Sequence, residues 1–144
     1  VNSGYGYIAE QTGASVGFQV GDFEKDFPCC RQTTSRNTIE NKRDALVRFE
    51  MAALRAYVTF MNDKKTSIDA LVKYSGQDAE YVEAIMYGTK DYDNAMIVSL
   101  DPKYDIADYI DTSIYEDALK YLIEEGENAE IYEQLLEEFE ANNK

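Results

Sequence analysis

The chain has 144 residues, with 28 Asp and Glu against 14 Lys and Arg, a formal charge of -14 and no histidine. Without His it cannot form a Ser-His-Asp or Cys-His nucleophile pair, a His-bearing zinc site or a proximal-His haem site. Acidity on this scale also argues against nucleic acid and anionic membrane surfaces, which are bound through clustered Lys and Arg.

The charge is uneven. Residues 1–64 carry eight acids and eight bases, so residues 65–144, with twenty acids and six bases, hold the whole excess. A composition of 44% hydrophobic and 29% charged residues is that of a folded chain with one core, not of a disordered acidic tail. The longest apolar stretches, such as Met96-Ile97-Val98, fall far short of the roughly 20 residues needed to cross a bilayer. The first residues have no charged n-region followed by an apolar h-region, and the chain starts with Val, which suggests processing or a proteolytic cut. Its two cysteines, Cys29 and Cys30, are adjacent and so cannot staple distant segments together.

In chain order, residues 5–11 form a plausible short helix with Gly13 as its left-handed stop. Val16, Phe18 and Val20 then alternate with Gly17 and Gln19, the period-2 pattern of a half-buried strand over 16–20. A second extended segment is expected over 29–34, after Pro28. From Asn37 the period becomes helical. Asn37 and Glu40 have capping-box spacing, and Leu46, Phe49, Ala53, Tyr57 and Phe60 or Met61 step by three and four, predicting one long helix ending near Asn62. Further helices are expected over 66–74 with Gly76 as stop, and from Asp78 to Gly88. Short turns are expected over 91–98 and 105–109. Thr112 should then cap a helix ending at Gly126, with Ile114, Tyr115, Ala118, Leu122 and Ile123 inward. A last helix, 128–141, should carry a stripe of Ile131, Leu135 and Phe139. This predicts a helix-dominated α/β chain: short strands followed by at least five helices.

Pro28-Cys29-Cys30-Arg31-Gln32 is the most distinctive local sequence. Vicinal cysteines on extended backbone point to opposite faces, and Arg31 offers a planar head suited to a carboxylate, sulfonate or phosphate. The residues alone favour the plainer reading of both thiols as small buried hydrophobes and Arg31 as a surface charge. The acids over 91–111 do not fit a calcium loop, because the required positions fall on Ala95, Met96 and Lys103. They read instead as helix caps and solvated surface. Of twelve tyrosines, Tyr5 and Tyr7 are the better candidates for a ligand wall, and most of the ten from Tyr57 onward are assigned to packing. A thiol-dependent enzyme using Cys29 or Cys30 would need Lys or Arg alone to lower the thiol pKa. Neither catalysis nor a cofactor or metal is expected.

Several stretches, taken in order, resemble the C-terminal part of the substrate-binding proteins of ABC importers in the nitrate/sulfonate/taurine group, which also includes binders of the thiamine pyrimidine precursor. The matching stretches are Val1-Asn2-Ser3-Gly4-Tyr5-Gly6, the segment 16–20, Pro28-Cys29-Cys30-Arg31-Gln32, and Phe49-Glu50-Met51-Ala52-Ala53-Leu54-Arg55-Ala56-Tyr57. Lys73-Tyr74-Ser75-Gly76-Gln77, Tyr87-Gly88-Thr89 and Asp111-Thr112-Ser113-Ile114-Tyr115-Glu116-Asp117-Ala118-Leu119 follow.

The resemblance implies a periplasmic-binding-protein-like fold of two lobes. Residues 1–36 would be the end of the second lobe and a crossing strand, and residues 37–144 the C-terminal helical part of the first lobe. It implies an extracytoplasmic protein, lipid-anchored in full-length form, that hands a small polar or anionic solute such as a sulfonate, nitrate or pyrimidine precursor to an ABC transporter permease. Since members are about twice as long, a missing first-lobe segment or a swapped second copy is expected to complete this chain. The resemblance places Ser3, Tyr5, Cys29, Cys30, Arg31 and Gln32 nearest the ligand. Arg31 would pair with an anionic group, Gln32 and Ser3 would hydrogen-bond, and Tyr5 would stack. The competing class is a non-enzymatic acidic helical module that binds a basic partner protein.

Overall fold

The computed structural model describes residues 3–24, 32–93, 95 and 112–142. They form seven α-helices and one short 3-10 turn: α1 (Ser3–Gln11), the turn Val20–Asp22, α2 (Arg36–Asn41), α3 (Arg43–Asn62), α4 (Lys64–Ser75), α5 (Ala79–Tyr87), α6 (Ser113–Glu125) and α7 (Ala129–Asn142). Helix takes up 74% of the described residues and no strand occurs among them, which corrects the expected α/β class and the two-lobe architecture attached to it. Residues 16–19 are irregular and lead directly into the 3-10 turn. Of the second expected strand, residues 32–34 are irregular and 29–31 lie outside the described residues. The turn expected over 105–109, and half of that over 91–98, also lies outside them.

The reason lies in where each element finds its hydrogen bonds. A helix satisfies its backbone internally, whereas a strand needs a neighbouring ladder, and alternation of side chains supplies a face without supplying a neighbour. No such neighbour exists among the described residues.

Local chemistry sets the helix ends. Ser35 caps α2, its hydroxyl accepting from the Thr38 N–H at 3.1 Å. At Lys42 the backbone leaves the helical region, with φ -136° and ψ 30°, so the single helix expected from 37 to 62 is two. Asp63 caps α4 with both carboxylate oxygens, one accepting from the Thr66 N–H at 3.0 Å and the other from its hydroxyl at 2.7 Å. Helices α4 and α6 end at Gly76 and Gly126, whose φ values of 70° and 82° are left-handed and favour a residue without a β-carbon.

Contacts divide the chain into two units. One comprises Val1–Cys29 and Thr59–Val98; the other comprises Cys30–Val58 and Ser99–Lys144.

The second unit holds the larger core. Val47, Met51, Leu54 and Val58 of α3 pack with Tyr115, Ala118, Leu119 and Leu122 of α6 and with Tyr132 and Phe139 of α7. The α3 positions follow a four-three-four spacing, one helical stripe. That stripe is not the expected one: Phe49 is exposed, and Leu46, Ala53 and Tyr57 are only partly buried. In α6 the expected Tyr115, Ala118 and Leu122 are buried, with Leu119 added. In α7 Tyr132 is more deeply buried than the expected Ile131 and Leu135. Burying each such side chain contributes about 1.5–3 kcal/mol. The Arg43–Asp117 pair, 2.7 Å apart and partly exposed, contributes at most about 1 kcal/mol. Apolar packing therefore holds this unit.

The first unit has a smaller core, built largely from tyrosines. Tyr7 of α1 meets Tyr81 and Tyr92 edge-on, at centroid distances of 5.8 and 5.2 Å. Val82, Ala84 and Tyr92 are fully buried. The end of α3 joins this unit through Phe60, which stacks on Tyr87 at 4.6 Å while its carbonyl accepts from the Tyr87 hydroxyl at 2.8 Å. Lys64 pairs with Glu83 at 2.7 Å.

Candidate functional site

Of the six residues the sequence singles out, Ser3 and Tyr5 belong to the first unit and Gln32 to the second. Cys29, Cys30 and Arg31 lie outside the described residues. Ser3 is the first helical residue of α1. Tyr5, two residues on, is 64% exposed. Tyr7 points elsewhere: its ring is used in packing against Tyr81 and Tyr92, which removes it from the ligand-wall candidates. Its hydroxyl pKa is raised, first by desolvation and then by Glu80. The Tyr92 hydroxyl is also raised, by burial first and by Glu10 next.

Gln32 lies on irregular backbone ahead of α2, and its side chain hydrogen-bonds the Glu50 carboxyl of α3. Burial pushes the Glu50 carboxyl above its ordinary value of 4.5, and the Gln32 amide partly offsets this by favouring the charged form. Glu50 was not among the sequence candidates. The sequence gives no signal for it, because Glu50 adjoins the stripe of Val47, Met51 and Leu54, which only the packing of α3 reveals.

A shallow groove of about 440 Å³ also occurs in the second unit, lined by Arg43, Val47, Arg48, Met51, Tyr121 and Glu125 among others. Its floor is apolar and its rim charged. Arg43 is already engaged there by Asp117 and by the Ser113 hydroxyl, which accepts from the guanidinium at 2.7 Å. Arg55 likewise pairs with Glu125. Neither Tyr5 nor Gln32 lines it.

Among the described residues no three Cys, Asp or Glu side chains converge as metal ligands would, and no helix is long and apolar enough to cross a membrane. The chain matches no family model, no curated protein and no solved structure.

Proposed function

We propose that the chain is a non-catalytic solute-capturing component of an ABC importer. It acts outside the cytoplasmic membrane and delivers a small polar or anionic solute, such as a sulfonate, nitrate or pyrimidine precursor, to a membrane permease. The observation that supports this reading is the interaction of the Gln32 amide with the Glu50 carboxyl. This polar side chain lies on the segment that the sequence resemblance marks for ligand contact, and an amide has both donors and an acceptor to offer a polar solute. Arg31, its neighbour in sequence, supplies the charge for an anionic group. The ordered series of resembling stretches supports the same reading, with Lys73 to Gln77 spanning the end of α4 and Tyr87-Gly88-Thr89 the end of α5.

Thermal melting of the whole chain with alkylsulfonates, nitrate and aminopyrimidines tests it. A true ligand at about 100 times its Kd adds about 2.7 kcal/mol and raises Tm. The rise should vanish in Arg31→Ala and weaken in Gln32→Ala. No rise with any of these solutes overturns the proposal.

A second reading, an acidic helical module for a basic partner protein, is favoured by the ten acids against one Lys in residues 112–142. Under that reading melting ignores the solutes, and capture of a basic protein weakens steeply with salt.

A further inference from the structure

Phe18, Val20 and Phe23 lie close together in the first unit and are 67%, 53% and 76% exposed. Large apolar side chains left in water as a group mark an interaction surface more often than scattered single ones do. These three are also held in shape. The Gln19 N–H donates to the Asp22 carboxylate at 2.7 Å, the Gln19 side chain accepts in return from the Asp22 backbone, and the Phe23 N–H donates to the Val20 carbonyl at 3.0 Å. The two phenyl rings meet edge-on at 5.1 Å. The segment leading in is fixed to α1, because the Val16 N–H donates to the Glu10 carboxylate at 3.3 Å and a Val16 methyl packs beside Gly6. A small exposed cluster with a preset backbone loses little conformational entropy on binding, a property shared by interface anchors.

Charge decides which occupant fits. Residues 3–24 contain Glu10, Asp22 and Glu24 and no base; the first Lys of the chain is residue 25. Two of these acids flank Phe23 in sequence. A second copy would set Glu10, Asp22 and Glu24 against the same three acids, and an anionic lipid surface would be repelled in the same way. A polypeptide that presents an apolar face edged with Lys or Arg meets both the rings and the carboxylates.

We propose that the Phe18, Val20 and Phe23 cluster is a docking surface for a partner polypeptide with a cationic, amphipathic segment. The proposal stands independently of the solute-capture reading.

The test uses the whole chain at about 0.15 M salt with two short helical peptides of the same pattern, one of Leu and Lys and one of Leu and Glu. Binding is read by fluorescence anisotropy and by shifts of the Phe ring signals. The Leu/Lys peptide is expected to bind and to shift Phe18 and Phe23, and the Leu/Glu peptide is not. In Phe18→Ser/Phe23→Ser the affinity should fall by about tenfold or more, the loss expected for an interface anchor, with helix content by circular dichroism unchanged. The single variant Phe23→Ser replaces the double one if the latter loses helix. Three results would overturn the proposal. One is equal binding by the Ser variants, which places the peptide on other acidic surface; another is equal binding of both peptides. The third is concentration-dependent self-association that the Ser variants abolish, which makes a second copy the occupant.

Discussion

Glu50 and Asp63 are both carboxylates on helical segments, yet the structure shifts them in opposite directions, and so they contribute to stability with opposite signs. Desolvation raises Glu50 above its ordinary 4.5. Between that value and the raised one, the folded chain holds more proton than the unfolded chain, so its contribution weakens as pH rises through this window. Asp63 is lowered from 3.8, first by the Thr66 backbone N–H and then by the Thr66 hydroxyl. Its contribution is complete above the ordinary value and is lost as pH falls through the lowered one. Glu50→Gln should therefore leave neutral-pH stability unchanged or slightly increased and remove the downward trend above pH 4.5, whereas Asp63→Asn should remove the acid-side loss. Chemical denaturation at stepped pH reads both. A Glu50→Gln variant that keeps the wild-type trend would show that the burial of this carboxyl has been misjudged. Gln32→Ala should raise the Glu50 carboxyl further, as seen in its carboxyl carbon titration, because the amide is what holds it down.

At the level of elements, α6 is the centre of the second unit, with Leu119 and Leu122 almost completely buried between α3 and α7 residues. Leu122→Ala leaves a cavity there and should cost about 2–5 kcal/mol. Urea denaturation followed by circular dichroism would measure it, and a loss below about 1 kcal/mol would mean that α6 is not the packed centre described. The ends of this helix were legible in the sequence, because Gly126 supplies a left-handed stop and Thr112 stands directly before Ser113. The same holds for α4 and α5, which end at Gly76 and Gly88. The break at Lys42 was not legible, since neither Gly nor Pro marks it and the pattern on both sides is helical. The α3 stripe was misread for a related reason. Aromatic and aliphatic residues occupy several faces of this helix, and only contact with α6 and α7 selects Val47, Met51, Leu54 and Val58 over Leu46, Phe49 and Ala53. The run Val16, Phe18, Val20 has a strand's side-chain pattern, but whether a strand forms depends on a partner that the pattern does not specify. Of the candidate site, Gln32 gained a neighbour in Glu50, Tyr5 an exposed position and Tyr7 a packing role. Arginine and thiol chemistry over 29–31 belongs to the sequence alone.

For the molecule as a whole the decisive quantity is charge density. Residues 112–142 carry ten acids and one Lys over two helices, and Glu130, Glu133, Glu137 and Glu140 of α7 are all exposed. Spacings of three and four place such residues on neighbouring positions of one helical face, where like charges cost about 0.2–0.5 kcal/mol per pair. Opposing this are exposed or half-exposed ion pairs, Arg43 with Asp117, Arg55 with Glu125 and Lys120 with Glu116, each contributing at most about 1 kcal/mol and screened by the same salt. The pairs act locally, whereas the excess of nine negative charges acts across both helices, so repulsion outweighs attraction. Raising ionic strength from about 0.01 to 0.15 M shortens the Debye length from about 30 to 8 Å and removes most of the longer-range repulsion. Tm of the whole chain should rise over that interval in NaCl. Glu133→Lys/Glu137→Lys, which changes the net charge by four without touching the core, should raise Tm at low salt and flatten the salt response. A Tm that falls with salt in the wild-type chain would instead make the ion pairs to Arg43 and Arg55 the dominant electrostatic contribution in the second unit.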